Sequence, residues 1–149
     1  QALRADLDTD QFANDLGDPV AALKARPDCS GKVGVVGFCL GGKFTYLSAT
    51  RHEIDAAVSY YGVQIHEYLD EAENLHCPIL MHFAGIDPHV PQDTVDAIQA
   101  HMGAWDNVDI HLYPGAEHGF NRDGYPPYSE AAAGPAMQRT LAHFRKLLR

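Results

Sequence analysis

The apolar positions of this chain gather into four short runs, separated by segments in which they recur at helical spacing. In the first run, residues 32–37, Val33, Val35 and Val36 are β-branched and surround Gly34, which predicts a buried parallel strand ending at Gly37. Residues 54–61 (IDAAVSYY) and 78–84 (PILMHFA) give the second and third strands, and 107–113 (NVDIHLY), alternating apolar and polar, gives the fourth. Helical spacing follows the first and third strands and, after a loop over 114–128, the fourth. Residues 43–51 continue from the first strand's turn, and 91–102 place Val95, Ile98 and Met102 on one face before Gly103 stops the helix. The last helix is defined from Pro135 onward, with Met137, Leu141, Phe144 and Leu148 as its apolar face and residues 129–133 adding an earlier turn. Ahead of the first strand, Leu3, Leu7, Phe12 and Leu16 allow a helical face in residues 1–17. Asp18-Pro19 reads as a cap and first helical position for a helix to about Arg26, with Val20 and Leu23 inward. Residues 62–75 are acidic and read as a short helix or loop. Strands alternating with helices predict one α/β domain over residues 1–149, with a mostly parallel sheet of about four strands flanked by helices.

The turn after the first strand carries the chemistry. Gly37-Phe38-Cys39-Leu40-Gly41-Gly42 has the small-x-nucleophile-x-small spacing of a nucleophile elbow, with cysteine where serine is commoner. A tight strand-to-helix turn forces strained dihedrals on the nucleophile, and the chain on either side passes close enough that a Cβ is expected to clash. Cys39 is thereby expected to project above the sheet at a helix start, where free backbone N–H groups and the helix dipole favour a thiolate and an oxyanion. The bland alternative is a glycine-rich turn holding an inert cysteine.

Composition narrows the partners. A net charge of −9 with scattered Lys and Arg argues against nucleic acid or an anionic membrane surface. Three cysteines without a close pair make no disulfide framework, and no apolar run approaches a membrane span, so a soluble protein of a reducing compartment, the cytoplasm, is expected. The opening QALRADLDTDQ has neither initiator Met nor signal-peptide regions and reads as an interior starting point, either a processed end or a fragment.

In a parallel sheet chemistry collects at the carboxyl ends of the strands. Cys39 follows the first strand, Asp87 the third and His118 the fourth. Nucleophile, acid, histidine is the chain order of the α/β-hydrolase triad. Each residue also has an ordinary reading, as a buried thiol, a turn residue before Pro88, or one loop histidine among nine.

On these residues the chain resembles the dienelactone hydrolases. The cysteine elbow, the acid loop Gly85-Ile86-Asp87-Pro88-His89-Val90-Pro91 and the histidine loop Glu117-His118-Gly119-Phe120 resemble that family's, and Tyr60-Tyr61-Gly62 is similar too. The resemblance runs from about Asp18 to the C-terminus. It implies a truncated α/β-hydrolase fold with Cys39, Asp87 and His118 catalytic and the Leu40 backbone N–H in the oxyanion hole. It further implies Arg122 as a carboxylate-binding arginine, with Tyr61 and Phe38 beside the substrate. The family's domain carries several strands and a helix before the elbow strand, and those are expected to be missing here. With them would go a second oxyanion donor, a glutamate controlling the cysteine and another substrate-binding arginine.

The expected activity is hydrolysis of small esters or lactones through a thioester, with no metal or organic cofactor. A lone oxyanion donor predicts a weak enzyme, since one such donor is worth roughly 10²–10³ in rate. Two other classes compete. A zinc or redox protein would need ligand spacing that His76, Cys77 and His82 lack. A weakly active or noncatalytic half of a split hydrolase would need a partner chain. The elbow strand is expected at an open sheet edge, which predicts a homo-oligomer, a dimer or tetramer, completing the truncated sheet.

Overall fold

The computed structural model describes residues 7–149. Its centre is a four-stranded, wholly parallel sheet of β1 (Gly34–Phe38), β2 (Ala56–Tyr60), β3 (Ile79–Ala84) and β4 (Val108–Tyr113), lying side by side in chain order. Register pairs Val36 with Val58, Phe38 with Tyr60, Ser59 with Met81 and Ala84 with Tyr113. β2 and β3 are buried along their whole lengths, which explains their continuous apolar composition. The α/β fold with a parallel sheet is therefore as the sequence predicts.

Helices cover the two faces unequally. On one face lie α1 (Thr9–Asp15), α2 (Gly17–Lys24), α3 (Leu40–Arg51), a 3₁₀ segment (Ile65–Asn74) and α4 (Gln92–Met102). Their side chains join Ala57, Ile79, Met81 and Phe83 in one core with Phe44, Leu47, Ile98 and Met102. On the other face α5 (Glu130–Leu147) packs Ala132, Ala133 and Ala136 against Val58, Tyr60, Leu80 and Tyr113. One-directional crossovers put the connecting helices on a single face and leave α5 to cover the second.

Three local expectations are corrected. The second helix starts at Gly17, one residue before the expected Asp18 cap, and its N-cap Leu16 makes no side-chain bond. Leu23, expected inward, is 48% exposed. In α5 the buried positions are Ala132, Ala133, Ala136 and Thr140, whereas Met137 and Leu141 of the expected apolar face are exposed. The helix lies so near the sheet that small side chains are the ones that fit beneath it. Of the expected face in residues 1–17, Leu3 lies outside the described residues. Leu7 and Leu16 pack on the core, and Phe12 sits 4.5 Å from the Phe44 ring.

α1 is tied down by charge. Asp8 caps it by accepting from Gln11 N at 3.0 Å, and Arg51 reaches both Asp10 (2.8 Å) and Glu71 (2.5 Å), joining α1, α3 and the 3₁₀ segment.

Candidate active site

The elbow is built by glycines with unequal duties. Cys39 has φ 57° and ψ −118°, a strained conformation for a non-glycine residue. Its N–H donates to Tyr60 O (3.0 Å), and its carbonyl accepts from Gly42 N (3.0 Å) and Val63 N (3.3 Å), so neighbouring structure fixes it from both sides. A Cβ at Gly37 would collide with the Gly41 carbonyl oxygen and lie 2.5 Å from Thr45 Oγ1. At Gly42 a Cβ would meet Gly62 Cα at 2.7 Å, because the loop after β2 passes directly against α3. Gly41 is different. A Cβ there meets nothing within 4 Å, so the expectation of close approach on both sides of Cys39 holds at Gly37 and fails at Gly41.

The acid and histidine loops meet because pairing between β3 and β4 continues past the strands. Gly85 N donates to Tyr113 O (2.8 Å) and Ile86 N to Ala116 O (3.0 Å). Gly85 permits this, since a Cβ would stand 2.5 Å from Pro114 Cα. Phe120, fully buried between Tyr113 and Tyr61, anchors the loop that carries His118.

His118 Nδ1 lies 2.7 Å from Asp87 Oδ2. Asp87 Oδ1 accepts from His89 N (2.8 Å) and Val90 N (3.2 Å), so both oxygens of a fully buried carboxylate are engaged. An ionised carboxylate only accepts, so the proton of neutral His118 belongs on Nδ1 and Nε2 is left as the acceptor. Nε2 is buried and pairs with no nitrogen or oxygen among the described residues; the Cys39 thiol is the remaining hydrogen-bonding group acting on the ring. Burial pushes the His118 pKa down, but the bonds to Asp87 and Cys39 and the charges of both outweigh it, and the pKa is raised. Tyr61, whose backbone φ is 37°, sets its ring 4.6 Å from that of His118, and His89 stands edge-on at 4.7 Å. Burial pushes the Tyr61 hydroxyl up to about 12, so it stays a donor, to Asn121 Oδ1 at 2.5 Å.

Cys39, Leu40 and His118 border one cavity of about 600 Å³, whose far wall comes from Leu7 and Thr9 and from the stretch Val63 to Tyr68. Leu40 is the first residue of α3, where backbone N–H groups face outward from the helix end. Arg122 does not border this cavity. It is exposed, with its guanidinium 4.3 Å from the centre of the Tyr125 ring. Phe38 is 44% exposed at the end of β1 and contacts Tyr60 and Tyr61 outside the lining. His76, Cys77 and His82 are not brought together as a ligand group. Cys77 belongs to the α3 and α4 core, while the His82 ring bonds Thr140 and Tyr113 on the α5 face.

Sequence reasoning missed Lys43, Gln64 and His89, all of which line the cavity. Lys43 could have been found, because it lies in the first turn of the helix that Cys39 caps. Gln64 and His89 carry no such signal.

No helix among the described residues is long and apolar enough to cross a membrane. The sequence profile of the dienelactone hydrolase family matches residues 2–148. Carboxymethylenebutenolidase 1 of Cupriavidus pinatubonensis is 32% identical over 140 residues, 94% of this chain and 59% of that protein. The carboxymethylenebutenolidase of Pseudomonas putida is 34% identical over 134 residues, 90% of this chain and 57% of that protein. A crystal structure from Klebsiella pneumoniae subsp. pneumoniae MGH 78578, assigned there as a dienelactone hydrolase, superposes with a TM-score of 0.81 at 34% identity, covering 91% of this chain and 61% of that one. The chain thus spans somewhat more than half the length of these relatives. A profile match running nearly end to end, with relatives above 30% identity over the same span, establishes that the chain belongs to the dienelactone hydrolase family.

Proposed function

We propose that this chain hydrolyses small carboxylic esters or lactones, with Cys39 as nucleophile, His118 as base and acid, and Asp87 orienting the imidazole. The observation that carries the reading is His118 held between a buried Asp87 carboxylate and Cys39 at the edge of a cavity. His118 Nε2 takes the thiol proton and the Cys39 sulfur forms a bond to the substrate carbonyl carbon. The oxyanion lies against Leu40 N–H. Collapse breaks the carbon–oxygen bond, and the leaving alkoxide takes the proton from His118. A water then gives its proton to Nε2 and attacks the thioester, releasing the acid and restoring the thiol. The raised pKa of His118 favours the imidazolium formed in the first step. The activities named for the relatives above support the ester or lactone class.

Cys39→Ala and His118→Ala are expected to bring hydrolysis of a p-nitrophenyl ester of a short acid to background, while Cys29→Ala and Cys77→Ala are not. Asp87→Asn should lose most of the rate, because the group that sets the tautomer is gone. Activity retained in Cys39→Ala would defeat the reading. A second reading, a half-site needing a partner chain, is favoured by one observation, the edge of β1 that no strand among the described residues pairs with, with Val36 and Phe38 exposed on it. We infer that a second copy of the chain covers this edge.

A further inference from the structure

Tyr61 carries a backbone strain separate from that of Cys39. Its φ of 37° is one that a bulky residue rarely adopts, and the residue is buried. Such a conformation persists only where the surroundings over-determine it. Here the Tyr61 N–H donates to His82 O at 2.6 Å, which carries the pairing with β3 one residue past the end of β2. Gly62 follows, pressed so closely on α3 that a Cβ would stand 2.9 Å from the Gly42 carbonyl carbon, and Val63 N donates to Cys39 O at 3.3 Å. The backbone around Tyr61 is therefore fixed by β3 on one side and by the elbow on the other.

Its side chain reaches a third part of the site. His118 lies on a loop, in neither helix nor strand, and Gly119 turns the chain directly after it at φ 86°. The imidazole is thus aimed by its contacts and not by a regular element. The Asp87 bond holds Nδ1 alone, a single point about which a ring can still tilt. The Tyr61 ring lies against the imidazole, with 4.6 Å between centres and 57° between planes, and meets Phe120 edge-on at 5.6 Å. Its hydroxyl donates at 2.5 Å to Oδ1 of Asn121, three residues beyond His118 on the same loop. Burial pushes that hydroxyl up to about 12, so the bond keeps its proton throughout the range in which an imidazole titrates. Tyr61 does not itself border the cavity that Cys39 and His118 share.

We propose that Tyr61, strapped to Asn121, is a positioning residue that holds the His118 imidazole at the tilt in which Nδ1 meets Asp87 while Nε2 meets the Cys39 thiol. This role rests on the ester or lactone reading above and adds what keeps its base aimed at its nucleophile. One side chain, anchored in the elbow and the sheet, grips both the ring and the loop that bears it. The strained backbone is what sets a side chain from the end of β2 against a loop remote from it in the chain.

Tyr61→Phe keeps the ring and removes the strap, and Asn121→Ala removes it from the other end. On a p-nitrophenyl ester of a short acid each should lower kcat about three- to tenfold, the worth of one such hydrogen bond, with KM held within about twofold. The double variant should lose no more than either single one, because both remove the same bond. A second readout needs no turnover. Iodoacetamide consumes the thiolate of Cys39, and its product can be followed on the Cys39 peptide by mass spectrometry. At pH 6 the thiolate depends on passing its proton to His118, so alkylation should slow about three- to tenfold in either variant. At about pH 9.5, above the roughly 8.5 of an isolated thiol, the thiolate forms without the imidazole and the rate should match that of the unmodified protein. Asp87, Cys39 and His89 stand beside the same imidazole and are untouched by either substitution. A raised KM with unchanged kcat would make Tyr61 a substrate contact, multiplied losses in the double variant would uncouple it from Asn121, and equal slowing at both pH values would mean that Cys39 itself has moved. Any of these, or unchanged rates in both variants, would overturn the assignment. Absence of hydrolysis by the unmodified chain would instead count against the ester reading, and the alkylation profile would still decide the role of Tyr61.

Discussion

Around Cys39 the decisive quantities are atom-to-atom distances that a sequence does not contain. That Cys39, Asp87 and His118 would meet was legible because three residue types fell in a known order at the ends of three strands. The glycines were legible only in part, since the motif is symmetric about Cys39 and the contacts are not. Gly37 lies under the first turn of α3, while Gly41 faces open space. Gly37→Ala should therefore lose folded protein, because backbone must move to admit the methyl. Gly41→Ala should raise stability by about 0.5–1 kcal/mol through helix propensity. Urea unfolding of the two variants checks this, and equal destabilisation would refute the asymmetry.

α5 illustrates what periodicity reads well and badly among the elements. Its existence is plain from spacing, yet the large apolar residues that suggested its inner face are partly turned toward β1, where Phe144 and Leu148 abut Gly34. The true inner face is small residues and one threonine, a pattern without contrast in hydropathy. Thr140 Oγ1 lies 2.6 Å from Tyr60 Oη and 3.2 Å from His82 Nε2, while His82 Nδ1 meets Tyr113 Oη at 3.0 Å. Burial first, then the charges of His111, Arg139 and His143, push the His82 pKa down to about 3. His82 is thus neutral when folded and takes a proton near 6.5 when unfolded, so stability falls as pH drops from about 6.5 toward 3, by up to about 1.4 kcal/mol per pH unit. His118 has the opposite sign. Its raised pKa contributes stability that is present below about 6.5 and is lost as pH rises through the folded value. Melting temperature against pH should peak near neutrality, and His82→Gln should flatten the acid limb; an unchanged acid limb would remove His82 as its cause.

Across the whole molecule, the sheet order was legible because short right-handed crossovers allow few alternatives. The cavity was not, since its walls come from segments far apart in the chain. Among the described residues β1 is an edge strand bearing exposed Val36 and Phe38, and α5 exposes Met137 and Leu141. Such a combination of open backbone and apolar side chains is a site for association. Sedimentation at micromolar concentration is expected to give a dimer or tetramer, and Val36→Lys with Phe38→Lys should shift it toward monomer. A stable, active monomer of the unmodified chain would rule the association out.

The division of the cavity has a consequence for inheritance. Cys39, Asp87 and His118 ride on strand ends that cannot change without disturbing the sheet, whereas Leu7, Thr9, Gln64 and Tyr68 belong to α1 and its lead-in and to the 3₁₀ stretch and its lead-in, segments lashed on by Arg51. Descendants of this scaffold could therefore exchange the wall while the three strand-end residues pass through unaltered. Natural variation in this lineage should concentrate at the wall positions, and Arg51, which holds both segments in place, should tolerate less of it than the surface around it.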